Sequence, residues 1–481
     1  MTRAGTKTKN RKAVKQTANI APRSQARVVR RYDAAKIDRL TADWVFGPLS
    51  ANEEIKGGLE VVRNRARDGE RNNDHVRRYL AMVEANIVGR GFQLRIEGDD
   101  DGAIRDKFLA WADQSEVTGR LSWGDQQRLV ARVTARDGEK IARLLEGPDY
   151  KDGLAIQYLE ADYLDLKKSD QTTRNGNRVI MGVELDPRGK AVAYHLLTAH
   201  PGDTYGAQVG IKTDRIEAEK IVHVYFLERP GQVRGVSWMS SALMSLRMLQ
   251  GYQEAELVAA RIASCKMGFY VSQPGEDYKA DGKDSATGAP LSDAAPGVFE
   301  QLPNGWDFKQ FDPNHPSGNY GPFVKAILRQ LAGGLNVAYN NFANDLDNVS
   351  YSSIRSGTIE EREAWIVKQE WFARAFLRPV FKAWLRMASL VGTITIDEAE
   401  RFAGKDIWTG RRWPWVDPEA DIKSKKEEIS LGLAAPSDIA AERGDDFNAI
   451  QGRIRKDNDA RVSNGLPPVA ATQPTTKPQA G

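Results

Sequence analysis

Apolar residues recur at helical spacing in the first part of the chain. The clearest case follows Asn72-Asn73-Asp74, a polar triplet of the kind that caps a helix N-terminus. Gly89 and Gly91 end this pattern, and an alternating stretch from Phe92 predicts a strand. Helical spacing returns over about 103–146. The apolar face of the capped helix comprises Val76, Tyr79, Leu80, Val83 and Ile87.

Between residues 153 and 227 the apolar spacing changes from helical to alternating, which predicts strands. Asp186-Pro187-Arg188-Gly189 separates two of them and favours a turn, because proline presets φ and glycine tolerates a positive φ. The predicted strands are 155–159, 178–185, 192–196 and 221–226. This part of the chain is therefore predicted to form a β-rich lobe.

Long helical patterns dominate the second half of the chain. Residues 267–316 interrupt them with small and polar residues and one short strand pattern at 306–311. Residues 338–353 are rich in Asn, Asp and Ser, whose side chains favour local bonds to the backbone over helix. Pro379 should interrupt the longest helix, because proline lacks a backbone donor. The helices are predicted over 238–266, 320–337, 354–390, 418–430 and 436–460.

Charge is distributed unevenly along the 481 residues. The total of 69 basic and 65 acidic side chains gives a net charge of +4. Residues 1–31 hold ten basic side chains and no acidic one, so the remainder carries 59 basic against 65 acidic residues, a charge of −6. Residues 1–31, called the basic arm below, are predicted to be disordered. The basic arm either improves solubility or binds polyanions without sequence preference through Lys7, Lys9, Arg11, Lys12 and Lys15.

Several classes of protein are excluded or disfavoured by composition and motifs. A single cysteine, Cys265, excludes an internal disulfide, and no run of about 18 apolar residues predicts a membrane helix. We therefore expect a soluble intracellular protein without a membrane partner. No phosphate-binding loop or nucleophile elbow is present, and the five histidines show no metal-ligand spacing. We expect no cofactor, no metal and no enzymatic activity, with one alternative: a metal-dependent nucleic-acid-processing enzyme whose carboxylates meet only on folding.

Motifs recur in a recognisable order along the chain. The capped helix begins with R-N-N at 71–73 and ends with N-I-V-G-R-G at 86–91. The most specific segment is R-P-G-Q-V-R-G-V-S-W at 229–238, and further segments are R-D-G-E at 136–139, Y-S-S-I-R at 351–355 and W-V-D-P at 415–418. Taken in order over about 33–460, these segments resemble the lambda-type portal proteins of tailed phages. Asn304 is a small departure, because glycine is more usual there.

The resemblance implies an α+β portal-type subunit with a discontinuous α/β wing, a two-helix stem, a small clip and a mainly helical C-terminal crown. The predicted order of helix, strand-containing insertion and helix agrees with this architecture. The implied segments are a disordered basic arm (1–31), the wing (32–237), a first stem helix (238–266), the clip (267–316), a second stem helix (317–337), a tunnel loop (338–353), a long wing helix (354–393), a crown-like helical region (394–460) and a flexible tail (461–481).

The resemblance also implies a ring, usually of twelve copies, at one vertex of a capsid. Double-stranded DNA would be packaged and ejected through this ring without sequence preference. Implied partners are the terminase motor, the major capsid and scaffold proteins, and head-completion or adaptor proteins. ATP hydrolysis would belong to the terminase, which agrees with the missing phosphate-binding loop. The implied location is the virion, after assembly in the host cytoplasm, and another capsid connector is the alternative within this class.

The implied tunnel loop contributes one set of candidate channel residues. Short polar side chains suit a channel for DNA of any sequence, because each basic contact to phosphate would add affinity and slow sliding. An ordinary solvent loop is the alternative for this segment. The candidates are Asn340, Asn341, Asn344, Asp345 and Asp347.

Two smaller groups complete the candidate residues. Lys325 and Arg329 lie four positions apart on the second implied stem helix and share a face, so they either line the channel or form surface or intersubunit salt bridges. Arg229, Gln232 and Arg234 precede the first implied stem helix. They are expected to shape the turn at Pro230-Gly231 and to bind carboxylates of a neighbouring subunit, and a direct role in DNA binding is the alternative.

Overall fold

The computed structural model describes residues 47–99, 101–169, 172–173, 175–203, 212–264, 268–272, 282–283, 290–291, 306–310, 318–347, 351–413, 418–442 and 447–468. The chain divides into two units, Met1–Leu49 and Ser50–Gly481. The second unit contains every helix and strand of the described residues. The predicted basic arm at 1–31 lies outside the described residues, as does most of the predicted clip.

Four helices and one strand open the second unit. They are α1 (Ala51–Asn72), α2 (Asp74–Val83), β1 (Gln93–Ile96), α3 (Ala103–Ala112) and α4 (Trp123–Asp137). The predicted cap is confirmed, because the Asn73 side-chain oxygen accepts bonds from the N–H groups of His75 and Val76, both at 3.1 Å. α2 continues into a π-helical turn, Glu84–Val88, which ends at Gly89. All five predicted apolar-face residues of this helix are buried.

Two antiparallel sheets form the predicted β-rich lobe. The strands are β2 (Glu139–Glu146), β3 (Leu154–Leu159), β4 (Arg178–Ile180), β5 (Val183–Leu185), β6 (Ala191–Leu197), β7 (Thr213–Glu217) and β8 (Ile221–Tyr225). One sheet has the order β3-β2-β8, and the other has the order β4-β5-β6-β7. The predicted turn between β5 and β6 is confirmed, because the Gly189 N–H donates to the Asp186 carbonyl oxygen at 3.0 Å.

Two predictions in this region are wrong. Residues 139–146, predicted as the end of a helix, form β2 after Gly138 ends α4 with a φ of +94°. Ile141, Leu144 and Leu145 have the spacing of a helix face, but the strand is central in its sheet and most of it is buried. The strand predicted over 178–185 is divided by Met181 and Gly182, which both adopt positive φ.

The second half contains the predicted long helices and a strand-containing insertion. The elements are α5 (Leu243–Ser264), β9 (Gly268–Ser272), β10 (Gly282–Lys283), β11 (Pro290–Leu291), β12 (Trp306–Gln310), α6 (Tyr320–Gly334), α7 (Tyr339–Ala343), α8 (Tyr351–Phe372) and α9 (Arg378–Leu390). β9 pairs with β12 and β10 pairs with β11, both antiparallel. The described part of the insertion therefore consists of two antiparallel strand pairs.

The longest predicted helix is interrupted as expected. A π-helical turn, Ala373–Leu377, separates α8 from α9, which has Pro379 in its first turn. Because proline cannot donate to the preceding turn, the backbone widens there. The segment 338–353 differs from its prediction, since it includes the short helix α7, and α8 begins at Tyr351. Phe342 explains the helix, because its side chain is only 1% exposed and anchors the turn.

The C-terminal region contains α10 (Ile396–Phe402), β13 (Asp406–Thr409), α11 (Pro418–Ser430), α12 (Pro436–Glu442) and α13 (Phe447–Ser463). The pairing of β13 with β1, antiparallel from Gln93–Thr409 to Ile96–Asp406, was not predicted. Ile394 and Phe402 belong to the same core as the N-terminal helices. The first part of the predicted helical region 394–460 therefore packs within the main body.

Two cores stabilise the second unit. The main core joins α2, α3, α4, α8 and α9, and aromatic rings surround Phe108, which lies 5.2 Å from Phe381 and 5.4 Å from Trp384 between ring centres. A second core, which includes Leu164, Met181 and Tyr194, fills the β-rich lobe. None of the helices in the described ranges combines the length and apolarity that a membrane crossing requires.

Candidate functional site

Candidate residues from two separate parts of the sequence meet where α6 is followed by α7. Lys325 Nζ lies 2.8 Å from Asp345 Oδ2 and 5.8 Å from the ring centre of Tyr339. Arg329 Cζ lies 5.3 Å from the same ring centre. The Tyr339 hydroxyl donates to Asp345 Oδ2 at 2.6 Å. These four residues, Lys325, Arg329, Tyr339 and Asp345, are called the junction cluster below.

Within the junction cluster, Lys325 neutralises the charge of Asp345. The Lys325 ammonium, and then the Tyr339 hydroxyl, hold the pKa of Asp345 well below its usual range. Burial and the bond to Asp345 raise the pKa of Tyr339 to about 12. Asp345 is therefore ionised and Tyr339 is protonated at neutral pH. The Lys325 side chain is 32% exposed, so water screens the ion pair and it contributes little to stability.

Asn341 connects α7 to α2 and α8. Its carbonyl oxygen accepts two bonds from the Arg78 guanidinium, at 2.8 and 3.1 Å. Its side-chain amide donates to Glu361 Oε2, and Glu361 Oε1 accepts a bond from Trp365 Nε1 at 3.0 Å. Phe342 packs against His75, with 5.6 Å between ring centres. These contacts anchor the first half of the candidate tunnel segment to the body of the protein.

The remaining candidates of this segment differ in exposure. Asn344 ends α7 in the left-handed conformation, with a φ of +53°, and its side chain is exposed. Asp347 is also exposed, and its N–H donates to Asp345 Oδ1 at 3.0 Å. Asn340 is half-buried. The groups that face solvent are therefore Asn344 and Asp347, whereas Asn341 and Asp345 bind residues of the same chain.

The three candidate residues before α5 are Arg229, Gln232 and Arg234, and they differ in burial. Gln232 Oε1 accepts bonds from the N–H groups of Glu228 and Arg229, at 3.0 and 3.2 Å, and its amide donates to the Arg234 carbonyl oxygen at 2.8 Å. Gln232 therefore bonds to the backbone on both sides of Pro230-Gly231. Arg234 has no exposed surface and is bonded within the chain. Arg229 is exposed and pairs with Glu54 of α1.

Glu139 was not predicted as a site residue, although it lies in a motif that carries the family resemblance. Arg234 Nη2 and Nε donate to Glu139 at 2.6 and 2.9 Å, and Arg234 Nη1 donates to the Met181 carbonyl oxygen at 2.9 Å. His223 Nε2 lies 3.0 Å from Glu139 Oε2. Although burial opposes the charged form, Arg234 and His223 hold the pKa of Glu139 well below its usual range. This buried centre joins β2, β8 and the turn before α5.

One group of side chains in the described residues offers ligand atoms at metal-binding distances. Glu160, Asp162 and His200 each contribute one such atom within 4.8 Å of the others. Arg67 Nη2 already lies 3.2 Å from Glu160 and 2.6 Å from Asp162. The guanidinium therefore supplies the positive charge that a metal would bring, and the group fits an ion-pair network better than a metal site.

The family model described as phage portal protein, lambda family, matches residues 38–369. A probable portal protein of Halomonas phage phiHAP-1 is 32% identical over 457 residues, which cover 90% of this chain and 87% of that relative. Portal protein B of Escherichia phage lambda is 22% identical over 330 residues, 60% of each chain. The portal protein of Escherichia phage N15 is 23% identical over 323 residues, again 60% of each.

The solved structures that match this chain include chains from gene transfer agent particles. A chain from the neck of an empty particle has a TM-score of 0.43 and 13% identity, and the match covers 88% of this chain and 96% of that chain. A chain from the neck of a native particle, computed with C12 symmetry, has a TM-score of 0.40 and 14% identity over the same shares.

Proposed function

This chain belongs to the lambda family of phage portal proteins, and from that premise we propose that twelve copies form a ring at one capsid vertex. Double-stranded DNA is packaged and later ejected through the centre of this ring, without sequence-specific contacts. The observation that carries the proposal is the family match over residues 38–369. The subunit acts as a conduit and a docking platform, and it catalyses no reaction itself.

The assignment of segments follows the same proposal. α5 and α6 form the stem, the strand pairs between them belong to the clip, and residues 338–353 form the tunnel loop. α8 and α9 form the long wing helix, and the C-terminal helices form the crown. The terminase and head-completion or adaptor proteins dock on the ring, and the major capsid and scaffold proteins surround it. The assembled ring is part of the virion, and assembly takes place in the host cytoplasm.

The electrostatics of the tunnel segment support a sliding contact with DNA. Lys325 is paired with Asp345, and Arg329 lies over the ring of Tyr339. Arg78 donates to the Asn341 carbonyl oxygen. Basic side chains near this segment are thus engaged in the chain, and the exposed Asp347 adds negative charge. Such a surface gives DNA few phosphate contacts that would have to break at each step of translocation.

Electron microscopy of the purified full-length protein tests the proposal directly. We expect rings with a central hole, and rotational averaging of end views reports the number of copies. Discrete monomers or dimers at high protein concentration would contradict the proposal. A ring with a different number of copies would correct the symmetry alone.

A packaging assay with the terminase and empty capsids tests the conduit role. We expect that capsids assembled without this protein fail to protect DNA from nuclease and that adding it during assembly restores protection. ATP turnover or metal-dependent DNA cleavage by the purified ring would favour the enzyme alternative instead.

A further inference from the structure

A cavity of about 410 Å³ lies between α2, α7, α8 and the segment after β13. Guanidinium groups from three of these elements line it: those of Arg78, Arg362 and Arg411. Trp365 and Trp413 contribute aromatic walls. These five residues are called the arginine pocket below.

The arginine pocket has an excess of positive charge. In the described parts of the chain, no carboxylate forms a salt bridge with any of its three arginines. Arg411 Nη1 donates to the Ala85 carbonyl oxygen at 2.7 Å, and Arg78 donates to that of Asn341. Glu361 is the carboxylate that lines the cavity, and its two oxygens accept bonds from Trp365 and Asn341.

Arg362 is the least satisfied of the three arginines. Its Nε atom is buried and has no hydrogen-bond partner. Its guanidinium lies 5.9 Å from the ring centre of Trp413, and the Arg411 guanidinium lies at the same distance from that ring. Burial, and then the charge of Arg411, lower the pKa of Arg362. Two like charges beside one indole ring are stabilised when an anion joins them.

We propose that the arginine pocket receives the carboxylate of an Asp or Glu side chain from a neighbouring copy of this chain, with Arg362 as its main donor. This inference rests on the proposed ring, which brings copies together. The chain outside residues 1–31 has more acidic than basic side chains, 65 against 59, so a second copy offers carboxylates in excess. A carboxylate also accepts two parallel bonds from a guanidinium, which makes it a specific partner for arginine.

The shape of the pocket favours a carboxylate over a DNA phosphate. A guanidinium recessed in a cavity beside two tryptophan side chains is reached by a narrow group on a flexible stem, and an Asp or Glu side chain satisfies that condition. Duplex phosphates project from a stiff backbone and are flanked by sugars, so they bind exposed arginines. The tryptophan walls also lower the local polarity, which strengthens an ion pair beside them.

Filling the pocket would also affect the candidate tunnel segment. Asn341 lines the pocket and belongs to that segment, and its side chain and carbonyl oxygen bind Glu361 and Arg78. A carboxylate bound beside these groups holds α7 more firmly against α8. Contact between neighbouring subunits is thereby linked to the rigidity of the channel lining.

The test compares ring assembly of wild type, Arg362→Gln and a matched control, Arg401→Gln. Arg401 is exposed, lies 5.1 Å from the ring centre of Phe402 and is outside the pocket. Mass photometry over a concentration and salt series measures the midpoint of assembly. We expect Arg362→Gln to need about tenfold more protein for half-assembly, whereas Arg401→Gln behaves as wild type. The thermal unfolding temperature of the unassembled protein should change little with Arg362→Gln, because only the contact with the Trp413 ring is lost within the described residues.

A reconstruction of the wild-type ring gives the second measurement. The expected result is a carboxylate of the neighbouring subunit within hydrogen-bond distance of Arg362. Equal assembly midpoints for Arg362→Gln and Arg401→Gln, or a pocket holding DNA phosphate or a carboxylate of the same chain, would overturn the inference while the ring itself stands. A wild type that forms no ring contradicts the proposed function, and the inference fails with it.

Discussion

The backbones of Gly138 and Gly235 cross so closely that neither position has room for a side chain. A Cβ atom on Gly235 would lie 2.0 Å from the Gly138 carbonyl oxygen, and one on Gly138 would lie 2.4 Å from the Val236 carbonyl carbon. Gly138 also has a φ of +94°, which favours glycine. The crossing brings R-D-G-E at 136–139 against R-G-V at 234–236. It thereby lets the Arg234 guanidinium form its ion pair with the Glu139 carboxylate.

Replacing Gly235 with alanine should therefore destabilise the protein strongly. The added methyl group meets backbone atoms, which cannot rotate away, so we expect a loss of about 3 kcal/mol or more in the free energy of unfolding. Gly251→Ala is the matched control. Gly251 lies in α5 with nothing within 4 Å of its Cβ position, so this change should stabilise by about 0.5–1 kcal/mol. Denaturant unfolding measures both, and equal effects would contradict the close crossing.

Arg234→Met should also destabilise the protein, by about 3 kcal/mol or more, because it leaves the carboxylate of Glu139 buried without its main partner. Both side chains of this pair have an exposure of 0%. Arg105→Gln, which breaks a pair with exposed Asp106, should cost less than about 1 kcal/mol. Adding Glu139→Gln to Arg234→Met should recover part of the loss. A loss below about 1 kcal/mol for Arg234→Met would show that the pair contributes little.

Lys368 should make stability depend on pH in the alkaline range. Its ammonium lies 4.6 Å from the ring centre of Trp365 and 5.1 Å from that of Trp238, and burial lowers its pKa to about 8. Folding thus disfavours the charged form. The unfolded chain binds a proton up to the ordinary value of 10.5, so the free energy of unfolding rises between about pH 8 and 10.5. Lys368→Met removes this rise.

The measurement is the difference in the free energy of unfolding between wild type and Lys368→Met at pH values from 7 to about 10. Tyrosines and other lysines contribute to both proteins and cancel in the difference. We expect wild type to gain on the variant as the pH increases. A constant difference would mean that Lys368 keeps an ordinary pKa in the folded protein.

Positive charge in the tunnel segment should impair DNA packaging while rings still form. The suitable positions are Asn340 and Asp347, because Asn341 is bonded to Glu361 and Asn344 has a φ of +53° that disfavours lysine. We expect Asn340→Lys/Asp347→Lys to lower the amount of nuclease-protected DNA in a packaging assay. Asn340→Gln/Asp347→Asn is the control and should package normally. Normal packaging by the lysine variant would remove this segment from the channel.

Deletion of residues 1–31 should leave ring assembly unchanged and weaken non-specific binding to DNA. The ten basic residues of this arm account for the electrostatic attraction, so the deletion should also reduce the salt dependence of DNA affinity. Replacing Lys7, Lys9, Arg11, Lys12 and Lys15 with Gln should have a similar but smaller effect. Fluorescence anisotropy with a DNA duplex over a salt series measures both variants. Loss of rings on deletion would show that the arm is structural.

Local sequence patterns predicted much of the fold. The cap at Asn73, the turn at Asp186–Gly189 and the interruption before Pro379 depend on residues a few positions apart, so the pattern contains the information that decides them. β2 was mistaken for helix because its apolar spacing fits either structure. The pairing of β13 with β1 was missed because the two strands are far apart in the chain.

The candidate residues likewise divide into features that local sequence decides and features that contacts between distant segments decide. The sequence by itself determined which segments are helix or strand where the deciding contacts are local, and its ordered motifs indicated the portal family. Only the tertiary structure decided that Lys325 meets Asp345, that Arg234 is buried on Glu139 and that three arginines line one pocket. Burial and charge pairing depend on which distant segments come together. A residue type at a given spacing cannot reveal whether its charge faces water or a partner.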